Sequence, residues 1–135
     1  MLELVIVPST HIDYAWRDGA NSIAEATQSI DEITGSQLKM ILAKGERTLV
    51  QIKRDSETVG WGVFRIDQLP NMRVLFITDL VSHNSHFEEF FAQLKDIAFR
   101  LGCIAIRCAA LPAQARLYRQ KLGFTPVYET LEYKL

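Results

Sequence analysis

Nowhere in this chain does an apolar run reach the roughly 18 residues of a bilayer-spanning helix, so no membrane segment is expected. Neither sign of charge prevails: 15 Lys and Arg stand against 16 Asp and Glu, and a net charge of −1 gives no basic field to recruit nucleic acid or anionic lipid. "RLYRQK" offers Arg116, Arg119 and Lys121, but three cations on one short helix read as a solvated face. Cysteine is scarce. Cys103 and Cys108 are five apart in "CIAIRCA", where strand alternation would turn them to opposite faces, against a shared disulfide or metal. Two buried or half-buried thiols fit a reducing cytosol, so a cytoplasmic location is expected. His11, His83 and His86 have no metal-ligand spacing with partners. "MLELVIVPSTHIDY" lacks the basic start and small-residue cleavage site of a secretory signal. No linker, repeat or low-complexity tract divides residues 1–135, which at 48% apolar composition are expected to form a single domain with its own core.

The hydrophobic period changes along the chain. "LELVIV" is an aliphatic strand ended by Pro8. A helix follows, with Thr10 and Asp13 as a capping pair and Ile12, Trp16, Ala20 and Ile23 as its apolar residues, interrupted by Gly19. "TGSQLKMILAKG" predicts a second short helix with Leu38, Ile41 and Leu42 on one face and Gly45 as its stop. "RTLVQIKR" and "TVGWGVFRI" flank the turn "DSE" as a hairpin, and "MRVLFITDLVS" is apolar enough for a central strand. Phe87, Phe90, Phe91, Leu94, Ala98 and Leu101 then make one helical stripe, closed by Gly102. "IAIRCAA" is a strand, "PAQARLYRQKLG" a helix with Pro112 in its first turn, and "TPVYETLEYKL" a last, alternating strand. Strand, two helices, three strands, helix, strand, helix, strand is the order of an α/β or α+β domain, with a mixed central sheet flanked by about four helices.

That order, with "ARLYRQKLGF", resembles the GNAT family of acyl-CoA N-acyltransferases from about Arg47 onward. "ETVGWGVF" looks like the family's hairpin, "ITDLVSH" like the central strand that splays from its neighbour to admit acetyl-CoA, and "FRLGCIAIRCAA" like the end of the cofactor helix and the strand after it. The resemblance implies a GNAT-like fold and N-acyl transfer. It makes Tyr118 the acid that protonates the departing CoA thiolate, and Leu80, Val81, Ser85 and His86 the cofactor-binding residues. Tyr118 departs from the family's spacing, with four residues before Gly123 where three are usual. It also shares a stripe with Leu111, Ala115 and Leu122, so a core role competes with the catalytic one. Asp79, at the strand end nearest the splay, is either a base for the amine or a turn-capping carboxylate.

The family's phosphate loop is an Arg/Gln-x-x-Gly-x-Gly/Ala run whose free N–H groups surround the pyrophosphate. Here no glycine lies between Gly62 and Gly102, and "HNSHFEEF" occupies the place. Ser85 and Glu88 have capping-box spacing, which would use up the N–H donors, and Glu88 and Glu89 set negative charge where phosphates would lie. The chain also resembles small tailed-bacteriophage proteins that look like GNAT domains with eroded cofactor loops, through Trp16, "LAKGERTLV", "LPNMRVLFI", a "GC" pair and the "LEYKL" ending. Two functions follow as expectations. One is acyl-CoA-dependent N-acyl transfer weakened by the lost loop. The other is a non-catalytic module that binds a virion component or host factor, or self-associates, with Trp16, Trp61 and Tyr133 as candidate surface aromatics, each Trp being read at least as readily as a core residue, and the host cytoplasm or virion as its place.

Overall fold

The computed structural model describes residues 2–27, 32–82 and 87–135. β1 (Leu2–Val7) ends at Pro8, which has no N–H to continue a ladder. A 3-10 turn, Ser9–His11, leads into α1 (Ile12–Arg17), and a second, Ala20–Ser22, into α2 (Ile23–Thr27). The break between them is Gly19, whose φ of 123° is open to glycine at little cost. One expected helix is therefore two. The expected Thr10–Asp13 cap is absent as well: His11 is the N-cap and makes no side-chain capping bond, while Asp13 pairs with Lys39 Nζ at 2.8 Å.

α3 (Gly35–Ala43) starts from a capping box. The Gln37 N–H donates to Thr34 Oγ1 at 3.2 Å and the Thr34 N–H to Gln37 Oε1 at 2.9 Å. β2 (Thr48–Arg54) and β3 (Glu57–Gln68) form the expected hairpin, with Asp55 and Ser56 at positive φ as a tight turn between twisted strands requires. β4 (Arg73–Ser82), α4 (Phe87–Arg100), β5 (Ala105–Cys108) and α5 (Pro112–Leu122) complete the order.

The five strands lie in sequence order, β1-β2-β3-β4-β5, antiparallel through β4 and parallel between β4 and β5. A parallel pair needs a crossover, and α4 supplies it. Adjacent residues on β2 show the layering: Leu49 packs with Ile12, Ile23, Leu38 and Leu42 from α1–α3, and Val50 with Phe90, Leu94 and Ile97 from α4. Successive side chains on a strand point to opposite faces, so the sheet is covered on both. At Gly60 the sheet tolerates no side chain, since a Cβ would fall 2.4 Å from the Val81 carbonyl oxygen.

The sheet's two edges differ. The edge of β1 is closed by the Gln93 amide from α4, which accepts from the Leu4 N–H at 2.9 Å and donates to the Leu2 carbonyl. No described residue does this for the outer edge of β5.

The expected last strand is not formed: residues 123–135 carry no helix or strand. A strand exists only as part of a ladder, and no strand among the described residues pairs with this segment. Beyond Cys103 no residue is buried. The α4 stripe is also divided. Phe90, Leu94 and Ala98 are buried in the core, Leu101 is exposed, and Phe87 and Phe91 are half-buried elsewhere. Of the three aromatics weighed for the surface, Trp61 takes the core role at 4% exposure, Trp16 is partly covered against the same core and Tyr133 is exposed. No described helix is long and apolar enough to cross a membrane.

Candidate active site

The β4–β5 ladder runs from Val74↔Ala105 to Ile77↔Cys108 and stops, while β4 continues to Ser82 still paired with β3. The two strands therefore part after Ile77. A β-bulge sits at the same point: Phe64 pairs with Ile77 and Val63 with Asp79, so Thr78 is the extra residue. The insertion reverses the alternation of β4. Ile77 and Leu80 both pack toward the α4 core, whereas Val81 joins the α1–α3 core. Asp79 lies opposite Val63 and shares its face, the α1–α3 side, because directly paired residues on antiparallel strands do.

Between the parted strands is a cleft of about 90 Å³, lined by Thr78, Asp79 and Leu80 from β4, Phe87 and Phe91 from α4, Cys108 from β5, and Tyr118 from α5. That volume is well below the roughly 300–1,000 Å³ of a pocket enclosing a drug-sized molecule, and suits the reactive end of a longer one. On the side away from β3, no strand pairs with residues 79–81 among the described residues, so their peptide groups face the opening.

The Thr78 hydroxyl donates to Asp79 Oδ2 at 2.8 Å and lies 3.3 Å from the Val63 carbonyl oxygen. Burial pushes the Asp79 carboxyl above the usual aspartate value, with the Thr78 hydrogen bond and the charge of Arg47 pulling the other way. Tyr118 is half-buried among aromatic rings, 6.1 Å from Phe87 and 5.8 Å from Phe124 between centroids. Burial raises its phenol pKa and the neighbouring Cys108 adds to the rise, so the proton stays on at neutral pH. The Cys108 thiol is itself pushed up by burial and is no ready nucleophile.

Asp79, Leu80 and Tyr118 are thus brought to one cleft. Val81 contributes backbone at the opening, but its side chain packs with the opposite core. Ser85 and His86 lie outside the described residues, and with them the capping box between Ser85 and Glu88. Tyr118 is half-buried and packs against Phe87 and Phe124, on a helix that contains no fully buried residue. The charge expected at the start of α4 is partly offset from a distance: Arg54, at the end of β2, pairs with Glu89 Oε1 at 2.8 Å. Sequence reading missed this cation because it arrives from a strand 35 residues away. It also missed Phe87, Phe91 and Phe124 as lining, although the Phe124 position was visible in "LGF". Among the described residues no three His, Cys, Asp or Glu are grouped to hold a metal ion.

No protein-family model matches the chain, and no curated protein matches it in sequence. Solved structures do match in shape over the whole length. A ribosomal-protein-alanine N-acetyltransferase from Brucella melitensis biovar Abortus 2308 superposes with a TM-score of 0.73 at 12% identity, covering 100% of this chain and 99% of that one. The aminoglycoside N-acetyltransferase AAC(6')-Iy, solved with CoA, gives 0.68 at 15% identity and covers 100% and 95%. A possible acetyltransferase from Clostridium difficile 630 gives 0.70 at 14%, covering 100% and 98%. The chain is a single α+β unit with the GNAT acetyltransferase fold. Identity this low carries the fold and not the activity.

Proposed function

We propose that this GNAT-fold chain is an acyl-CoA-dependent N-acyltransferase working at the opening between β4 and β5. The observation that carries the reading is the convergence of Asp79 and Tyr118 on that cleft from opposite sides of the sheet. Acetyl-CoA would supply the thioester. The unpaired peptide groups of residues 79–81 would hold its extended arm as a strand holds a neighbour, and Leu80 and the aromatic rings would cover the acyl end. An amine entering from the α1–α3 side meets Asp79. As nitrogen attacks the carbonyl carbon, the carboxylate takes the amine proton, and its raised pKa makes it a better base than an exposed aspartate. As the C–S bond breaks, Tyr118 would give its proton to sulfur, and the cycle closes when Asp79 releases its proton to solvent and solvent returns one to the phenolate.

The diphosphate end fits less well. Glu88 and Glu89 stand in the first turn of α4, and a like-charge contact at 4 Å costs about 1 kcal/mol in water and about 4 kcal/mol at an effective dielectric of 20. Arg54 relieves part of this through Glu89. Weak cofactor affinity is therefore expected. Calorimetric titration tests it: acetyl-CoA should bind with measurable heat and a thermal shift, and neither at millimolar ligand would end the proposal. The acidic first turn favours a second reading, a non-catalytic protein-binding module of bacteriophage origin with an eroded cofactor loop. Stable capture of a virion or host protein, together with silence toward acetyl-CoA, would select it.

A further inference from the structure

We propose that the acceptor of this transfer is an amine that carries a carboxylate, with its nitrogen at Asp79 and its anion on a row of arginines crossing the sheet beside the cleft. Register sets the row. Arg65 on β3 pairs with Phe76 on β4, and Phe76 with Arg107 on β5. Thr48 on β2 pairs with Phe64, so Arg47, one residue before Thr48, continues the row beside Arg65. Alternation puts all four side chains on the α1–α3 side, the face of Asp79. Leu49 and Val63, two residues from Arg47 and Arg65, pack with α1–α3, while Leu75, Ile77 and Ile106, adjacent to Phe76 and Arg107, pack with α4.

The helices stop short of this row. None of the four residues joins the α1–α3 core, and each is half-buried. Like charges set opposite one another weaken a sheet, and among the described residues one ion pair answers the three cations. Asp67 accepts from Arg65 Nε at 2.9 Å, and the same guanidinium lies over the Phe76 ring, 4.2 Å from its centroid. Arg107 contacts the Met72 sulfur, a weak acceptor, at 3.7 Å. Arg47 makes no hydrogen bond or ion pair among the described residues, and its charge reaches Asp79 instead. A guanidinium presents paired donors that match a carboxylate, so two arginines with spare donors beside a third held on an aromatic ring suit an anion.

Spacing narrows the class. Phe76 and Asp79 are three residues apart on β4, about 10 Å of extended strand, shortened by the bulge at Thr78. Nitrogen and carboxylate therefore lie several carbons apart, as in an ω-amino acid, with the ammonium drawn to Asp79 and the carboxylate to the arginines. The inference rests on the acyl-transfer reading for the fate of the amine, and not for its binding.

ε-Aminocaproate, its amide and glycine are the probes, titrated calorimetrically into the wild type, Arg47→Gln and Arg107→Gln. ε-Aminocaproate should bind at least about tenfold more tightly than its amide, as a charge-assisted pair implies, and should lose that advantage in each variant and in high salt. The amide should bind all three proteins alike, and glycine, too short to reach both ends, should bind no better than the amide. Neither arginine holds a carboxylate in the fold, so the melting temperatures should stay near wild type. Release of CoA thiol with the acid and the amide as acceptors separates the two claims. Tight, arginine-dependent binding of ε-aminocaproate without release would support the site and end the acyl-transfer reading. Release at equal kcat/KM from acid and amide would do the reverse. No binding of ε-aminocaproate, or a preference that survives both substitutions, would equally overturn the proposal.

Discussion

Leu75 and Ile106 are direct partners in neighbouring strands, yet Leu75 is fully buried and Ile106 only half so. The same difference separates the regions they belong to. Up to Cys103, helices cover both faces of the sheet, and large aliphatic side chains such as Leu38, Leu49 and Leu94 are sealed from water. From Ile104 onward there is a four-residue strand, a helix with no buried residue and a tail without helix or strand. The first region holds the fold and positions Asp79. The second brings Tyr118, Cys108 and Phe124 to the cleft while contributing little to the core. Stability and chemistry therefore reside mostly in different parts of one short chain, which makes them separable by substitution.

The largest effect expected is on turnover. Tyr118→Phe removes a proton donor whose hydroxyl bonds to no described residue, so acyl transfer should fall about 10²–10⁴-fold while the thermal midpoint stays near wild type. Both quantities come from one preparation, by steady-state rates and a melt. Leu75→Ala reverses the pattern, costing about 2–5 kcal/mol by urea unfolding, whereas the same truncation at exposed Leu111, in the second region, should stay within about 0.5 kcal/mol. Equal losses at the two positions would dissolve the distinction.

Asp79 sharpens it, because it is a functional group inside the stable region. Its folded pKa lies above the unfolded value of 3.8, so its favourable contribution is complete below pH 3.8 and is lost as pH rises through the folded value. At neutral pH the buried carboxylate therefore destabilises. Asp79→Asn should raise the melting temperature at pH 7 and lose that advantage in acid, while slowing acyl transfer. Melts at both pH values check this. A modest, local loss completes the series: Thr34→Ala removes one half of the α3 capping box and should cost about 1 kcal/mol, read in the same urea assay.

Much of the stable region was legible in the sequence because local chemistry sets its boundaries. Pro8, the Asp55–Ser56 turn and the stops at Gly45 and Gly102 each act within a few residues, as Pro112 and Gly123 do for α5 in the second region. What escaped reading depends on register or on distance. The bulge at Thr78 leaves no mark in an apolar strand, yet it decides which face Asp79 takes. Arg54 reaches Glu89 from a strand 35 residues away, and the alternating tail reads as a strand although no described strand pairs with it. Of the site, Asp79, Leu80 and Tyr118 were named from sequence, while Cys108, Phe87 and Phe91 were read as structural and stand in the cleft.

The acyl-transfer reading is tested most directly by release of CoA thiol from acetyl-CoA in the presence of a primary amine, followed for the wild type, Asp79→Asn and Tyr118→Phe. With these groups as base and acid, release should depend on the amine and fall steeply in both variants, with acetyl-CoA still bound by each. Amine-dependent release that is unchanged in both, or bound acetyl-CoA that the wild type never turns over with any amine, would contradict it.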